Sequence, residues 1–285
     1  MTASLPPPAA SAYRRDLILY LAIAFGVAWL SWAAAIGLGG SVEDQGSPAY
    51  QPYVLGAFGP LIGALVIRIR RGRRGEPVPA HAVPTRRAAL AWTPPLLLLA
   101  AAIVLAGALI AHQAGGPAIT AQDARDAVDK TPGLPVFLFG ILLTGPLTEE
   151  PGWRGTMLPR MRASMGRLRA ALVLGVIWSV WHLPLFLVDG SQQQKLGLSS
   201  PSGLLFAVSV VPMCLLTVAA YERAGIAASI AVHFASNLTM VLLDVRAPVT
   251  MALIIGVQAI AALALLASAP ARTPAPAPRA PHPVA

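Results

Sequence analysis

Residues 134–154 read LPVFLFGILLTGPLTEEPGWR, and the placement of the whole chain follows from this stretch. Between Leu134 and Leu147 the only polar side chain is Thr144, and two adjacent carboxylates, Glu149 and Glu150, follow directly. A carboxylate near hydrocarbon depth is costly unless it is paired, protonated or turned toward water, so acids placed here point to a functional site. Arg154 stands four residues after Glu150, one helical turn away, where it can hold that acid ionised.

The rest of the chain has the composition such a stretch requires. Of 285 residues, 56% are hydrophobic and 12% charged, against about 25% charged in soluble domains. The net charge of +9 does not imply nucleic acid. Its basic residues fall between apolar runs and are not interleaved with aromatics, the pattern of membrane orientation signals. Cys214 is the single cysteine, which excludes an intrachain disulfide and a thiolate cluster for zinc.

Outward from 134–154, apolar runs of span length occur at 17–38, 52–69, 92–110, 170–188, 203–221, 226–243 and 249–267. The expected fold is therefore all-α, a polytopic integral membrane bundle of about eight transmembrane helices in contact with lipid. The run at 17–38 is longer than the core of a signal peptide and is read as a retained span. Residues 1–16 and the Pro/Ala-rich 270–285 are expected to be disordered tails flanking a membrane domain at 17–269, with its motif-bearing core at 134–243. Residues 112–131 read as a polar loop, and 157–169, where arginines alternate with Met and Leu, as a short interfacial helix. Eight spans put both termini on one side. Seventeen of the 21 Lys and Arg then fall on that side, Arg154 among them, and four on the other, which predicts cytoplasmic termini in a plasma membrane.

Three more polar residues interrupt later spans: His182, His233 and Asn237. At ~1.5 Å per residue across a core of roughly 30 Å, Glu149 and His233 lie about 10 Å from the cytoplasmic edge and His182 roughly 18 Å. The four can meet in that half, around a pocket expected to open to the cytoplasm. His233 and Asn237 share a helix face at i and i+4, as do Trp178 and His182. A carboxylate with an imidazole can take a proton from water while separate donors receive the charge on a carbonyl oxygen. Glu149 with His182 suits the first role and His233 with Asn237 the second. A zinc ion on Glu149, His182 and His233 is the other arrangement these residue types allow. Singly, each has an ordinary reading: a packed histidine, an asparagine linking helices, tryptophan filler, an interfacial Glu150–Arg154 ion pair. Together on three spans they read as a site. His81, His112 and His282, in loops and a tail, do not.

At these positions the chain resembles the CPBP family, intramembrane proteases that include the CAAX prenyl endopeptidases and bacterial proteins linked to bacteriocin processing or immunity. The family's three motifs appear here in order as Glu149-Glu150-Pro-Gly-Trp-Arg154, Trp178-Ser-Val-Trp-His182 and His233-Phe-Ala-Ser-Asn237. The resemblance implies an endopeptidase that cleaves a membrane-tethered peptide or protein. Glu149 would be the base, assisted by His182, with His233 and Asn237 on the oxyanion side and Glu150 and Arg154 completing the first motif. No cofactor is expected, although the family has been described as metalloproteases. Trp178 stands where the prenyl proteases of eukaryotes have Phe, and Pro151-Gly152 predicts a helix break that re-aims one acid. Two other classes use the same residues: a non-catalytic immunity or scaffold protein of this fold, and a proton-coupled transporter, which the lack of an obvious internal repeat disfavours.

Overall fold

A computed structural model describes residues 10–84, 87 and 91–268. Most of the two expected tails, 1–9 and 270–285, lies outside the described residues. Residues 10–16, read as part of the first tail, are helical instead: α1 runs Ala10–Leu38, and Asp16 is buried within it. There follow α2 (Tyr50–Ala57), α3 (Gly59–Arg73), α4 (Thr93–Gln113), α5 (Ala121–Asp129), α6 (Leu134–Leu143), α7 (Pro146–Gly152) and α8 (Leu158–Met161). The chain continues through α9 (Arg167–Trp181), α10 (Gln192–Leu196), α11 (Pro201–Ala224), α12 (Ile226–Leu242) and α13 (Pro248–Ser268).

Among the described residues, five helices are long and apolar enough to cross a bilayer, and up to seven spans result if each bent pair counts as one. The bent pairs are α2 with α3, at 45°, and α5 with the segment Leu134–Met161, at 83°. The expected polytopic helical bundle is present. The run expected as the seventh span is the 17-residue helix α12, which at ~1.5 Å per residue is a few ångströms short of the roughly 30 Å core. Its shortness suits a helix packed inside the bundle.

Two groups of helices meet at α7. In one, α1 packs along α2 and α3; in the other, α11 packs against α9, α12 and α13, with α4 closing on α12 and α13. Helix α7 touches both groups, through α3 and α12. Close approach depends on glycine. A Cβ on Gly107 would lie 2.6 Å from Ile254 Cα, and one on Gly152 2.6 Å from the Pro60 carbonyl oxygen. Where hydrocarbon surrounds the protein, such van der Waals contact takes over the role that hydrophobic exclusion has in water. Between the groups lies an aromatic seam of edge-on pairs, Trp32–Trp181 at 4.7 Å, Trp153–Trp181 at 5.9 Å and Tyr20–Trp153 at 5.5 Å. Trp32 and Trp181 donate their indole N–H groups to the carbonyls of Tyr53 and Ala24. Gly225, at φ 79°, is the single residue that turns α11 into α12, a left-handed conformation that favours glycine.

The ends of the bundle differ in charge. At one, Asp16 pairs with Arg160 at 3.1 Å and Arg70 at 3.8 Å, Glu222 pairs with Arg162 at 3.2 Å, and Arg167 donates to the Leu266 carbonyl. At the other, Lys195 pairs with Glu43 at 2.6 Å, Val42 bonds the Asp189 carbonyl, and Ser202 bonds the Arg246 carbonyl. Loops grouped by the sequence thus meet at common ends.

Three readings need correction. Arg154, counted with the loop charges, is 0% exposed and lies inside the bundle. Residues 157–169 form no interfacial helix: Met157, Leu158, Arg160 and Met161 are buried, because Arg160 is neutralised by Asp16 from α1. The loop 112–131 contains α5, which starts in a reciprocal capping box between Thr120 and Asp123 that satisfies otherwise orphaned amide donors.

Candidate active site

The site begins at a break. Helix α6 ends at Leu143, and Gly145, at φ −157° and ψ −90°, separates it from α7. Pro146 needs no amide partner at a helix start, and Thr148 Oγ caps the break by donating to the carbonyls of Leu143 and Gly145, both at 3.1 Å. The restart sets Glu149 and Glu150 in the first turns of a new short helix. The second break, expected at Pro151-Gly152, is absent. Helix α7 runs through Pro151 and passes into a π-turn at Trp153–Met157. The wider turn takes up the register lost at a residue without an N–H.

The two glutamates have different surroundings. Glu150, 0% exposed, accepts at Oε1 from Arg154 Nη1 at 2.9 Å and from His233 Nδ1 at 2.9 Å, and at Oε2 from Ser229 Oγ. With its oxygens engaged by a guanidinium, an imidazole and a hydroxyl, Glu150 is a fixed acceptor. Arg154 also lies over the Trp178 ring, 4.1 Å from its centroid. Ser229 was missed in the sequence, although Ser229-x-x-x-His233-x-x-x-Asn237 is a single i, i+4, i+8 stripe.

Glu149 has one oxygen held and one free to face the cavity. Its Oε2 accepts from Trp178 Nε1 at 2.6 Å. A Cβ placed on Gly145 would lie 3.6 Å from Glu149 Oε1, 3.5 Å from Asn237 Nδ2 and 3.9 Å from His233 Nε2. Three candidate groups therefore converge on one glycine, which leaves room between them. His233 Nδ1 faces a carboxylate and so carries a proton, and its Nε2 is the nitrogen turned toward Gly145. His182 Nδ1 lies 2.8 Å from the Trp178 carbonyl and likewise must donate there, leaving Nε2 as the acceptor of the neutral ring. His182 and Glu149 are linked through Trp178, which bonds one with its carbonyl and the other with its indole. The sequence placed Trp178 beside His182 on one helix face; the indole also holds the acid directly.

Glu149, Trp178, His182, His233 and Asn237 all line one cavity of about 550 Å³, with apolar walls that include Phe137, Phe206 and Met213. Glu150 and Arg154 lie behind it. The opening differs from expectation. The cavity is also lined by Asp126, Lys130, Gln192, Lys195 and Arg246, exposed residues at the sparsely charged end of the molecule. At the arginine-rich end the Arg160–Asp16 and Arg162–Glu222 pairs lie over buried Leu158 and Met161. Depth counting could not show which end the α6–α7 break leaves open.

Zinc on Glu149, His182 and His233 was the other arrangement the sequence allowed. No group of three His, Cys, Asp or Glu among the described residues is placed to hold a metal ion. Glu149 Oε2, moreover, is occupied by the Trp178 indole.

Residues 131–239 match the family described as type II CAAX prenyl endopeptidase Rce1-like. The CAAX prenyl protease 2 of Methanococcus maripaludis is 30% identical to this chain over 155 residues, 53% of this chain and 56% of that relative. Residues 131–239 are thus similar to the CAAX prenyl endopeptidases. The chain spans little more than half the length of the curated relative it matches. Each residue singled out from Glu149 to Asn237 falls within the matched segment.

Proposed function

We propose that the chain is an intramembrane endopeptidase that hydrolyses a peptide bond of a membrane-tethered peptide or protein, in a plasma membrane with both termini cytoplasmic. The observation that carries the reading is the asymmetry of the acid pair. Glu150 is saturated by Arg154, His233 and Ser229, while Glu149 keeps Oε1 beside His233 Nε2 and Asn237 Nδ2 in a cavity that reaches the surface.

In this reading a water in the cavity gives a proton to Glu149 Oε1, with His182 Nε2 as its second acceptor, and the oxygen adds to the substrate carbonyl carbon. Asn237 Nδ2–H and protonated His233 Nε2–H receive the charge on the former carbonyl oxygen. Collapse of the adduct breaks the C–N bond, and the proton held by Glu149 passes to the leaving amine. Glu150 and Arg154 act by positioning His233 and Trp178. No step requires a metal ion.

The test is Glu149→Gln, which keeps the shape and the acceptor for Trp178 but removes the base. Cleavage of membrane substrates, read as new peptide termini in membrane fractions of expressing cells, is expected to fall by ~10²–10⁴-fold with unchanged expression and unfolding temperature. Cleavage at the wild-type rate would refute the assignment. Treating the wild type with a chelator is expected to leave the rate unchanged, and zinc-dependent recovery after loss would replace the metal-free mechanism. A scaffold protein would show no difference in termini between wild type and variant.

A further inference from the structure

We propose that Gln258 is a substrate-binding residue whose carboxamide takes a peptide group of the bound chain, accepting its N–H at Oε1. The word substrate rests on the hydrolysis proposed above; the amide-binding part rests on the geometry of the chamber.

Gln258 stands where nothing polar is needed for folding. Between Met251 and Ala267 of α13 it is the only polar side chain, and it is 3% exposed. A buried amide costs free energy unless it is hydrogen-bonded. Among the described residues its single hydrogen bond runs from Nε2 to the Met213 sulfur at 3.6 Å, and a thioether is a weak acceptor with no proton to give. That contact sets the NH2 group against Met213 and leaves Oε1 with no partner in the protein. The side chain lines the same cavity as Glu149, His233 and Asn237, so the open oxygen belongs to the chamber. Gln258 also lies beyond the matched segment 131–239.

Its level in the bundle matches that of His233. Helices α12 and α13 are joined by the turn 243–247 at the mouth, where Arg246 lines the cavity. Counted from that turn at ~1.5 Å per residue, His233 lies about 14 Å along α12 and Gln258 about 15 Å along α13. In α11, Met213 lies about 16 Å from Ser202, whose hydroxyl bonds the Arg246 carbonyl at the same end.

The wall around Gln258 is apolar: Phe206, Val210, Met213, Met251 and Ile254. It accommodates the side chains of a bound peptide but offers nothing to the main chain, whose N–H and C=O groups leave water on entry and are costly unpaired. Oε1 accepts an N–H, and Nε2, released from its weak contact with sulfur, donates to a C=O. The carboxamide thus matches a secondary amide at both atoms.

The test uses the solubilised full chain carrying Ser209→Cys, a cavity-lining position one turn from Met213 in α11; Cys214 is buried. The probes are N-acetyl-leucine N-methylamide and methyl N-acetyl-leucinate, alike except that the ester has an oxygen in place of one N–H. Protection of Ser209→Cys from methyl methanethiosulfonate is read against probe concentration. The amide is expected to half-protect at ~5-fold lower concentration than the ester. The difference is expected to vanish in Gln258→Met, which keeps the unbranched shape and has no oxygen. Equal protection by amide and ester, protection by neither, or a difference that survives Gln258→Met overturns the proposal. Gln258→Met is expected to unfold at or above the wild-type temperature, because it removes an underpaired amide. If that variant does not fold, the comparison of amide with ester on the Gln258 protein decides alone. If Glu149→Gln leaves cleavage untouched while the amide–ester difference follows Gln258, the hydrolysis reading fails and the amide-binding residue stands.

Discussion

Arg154 shows how one buried side chain can organise a site it does not enter. It holds Glu150 through Nη1 and lies against the face of Trp178, so it fixes the partners of both His233 and Glu149. Removing one member of a buried ion pair leaves an uncompensated charge, at a cost of ~3–5 kcal/mol. Arg154→Met is accordingly expected to destabilise the protein by about that amount in detergent-solubilised unfolding. The double variant with Glu150→Gln should recover a large part, and no recovery would show that the loss comes from packing on Trp178. At this scale much was legible. The spacing of Glu150 and Arg154 gave the pair, but not its burial, since Arg154 was counted with the loop charges. The link from Trp178 to Glu149 was not legible, because it joins residues 29 apart through a fold-dependent approach.

At the scale of elements, breaks matter more than helices. The Gly145-Pro146 interruption could be read directly, since glycine followed by proline cannot continue a regular helix cheaply. The continuation through Pro151 could not, because a π-turn depends on what packs around it. Gly152 is the clearest case: its α-hydrogen faces the Pro60 carbonyl and the Tyr20 hydroxyl, so α7 lies directly on α3. Gly152→Ala is expected to cost ~1–3 kcal/mol by overpacking, whereas Gly26→Ala in α1, with nothing within 4 Å, should be neutral or slightly stabilising. Comparing the two unfolding midpoints checks this, and equal effects would remove the close-contact explanation. Helix α5 was missed because its charges were read as loop composition, although Thr120-x-x-Asp123 carries a capping-box signal.

For the whole molecule, the sequence partitioned the loops into two ends, while the open end emerged only from the packing of α5, α10 and α12. One tie across the mouth end is sensitive to acid. The Lys195 ammonium hydrogen-bonds Glu43 and holds its carboxyl below the usual range. A depressed folded-state pKa adds stability above the unfolded pKa of about 4.3 that is lost as pH falls through the folded value. The pair is partly exposed, so its worth is ~0–1 kcal/mol. Between pH 7 and pH 3.5 the wild type should lose slightly more stability than Glu43→Gln, measured as the difference in unfolding midpoint. A larger loss in the variant would reverse the sign.

The indole bond to Glu149 has a geometric consequence. Because Trp178 occupies one oxygen at 2.6 Å and the other faces Gly145, a nucleophile activated by this acid leaves along one vector. On the proposed chemistry, attack then reaches a single prochiral face of the amide, and the adduct forms with one handedness.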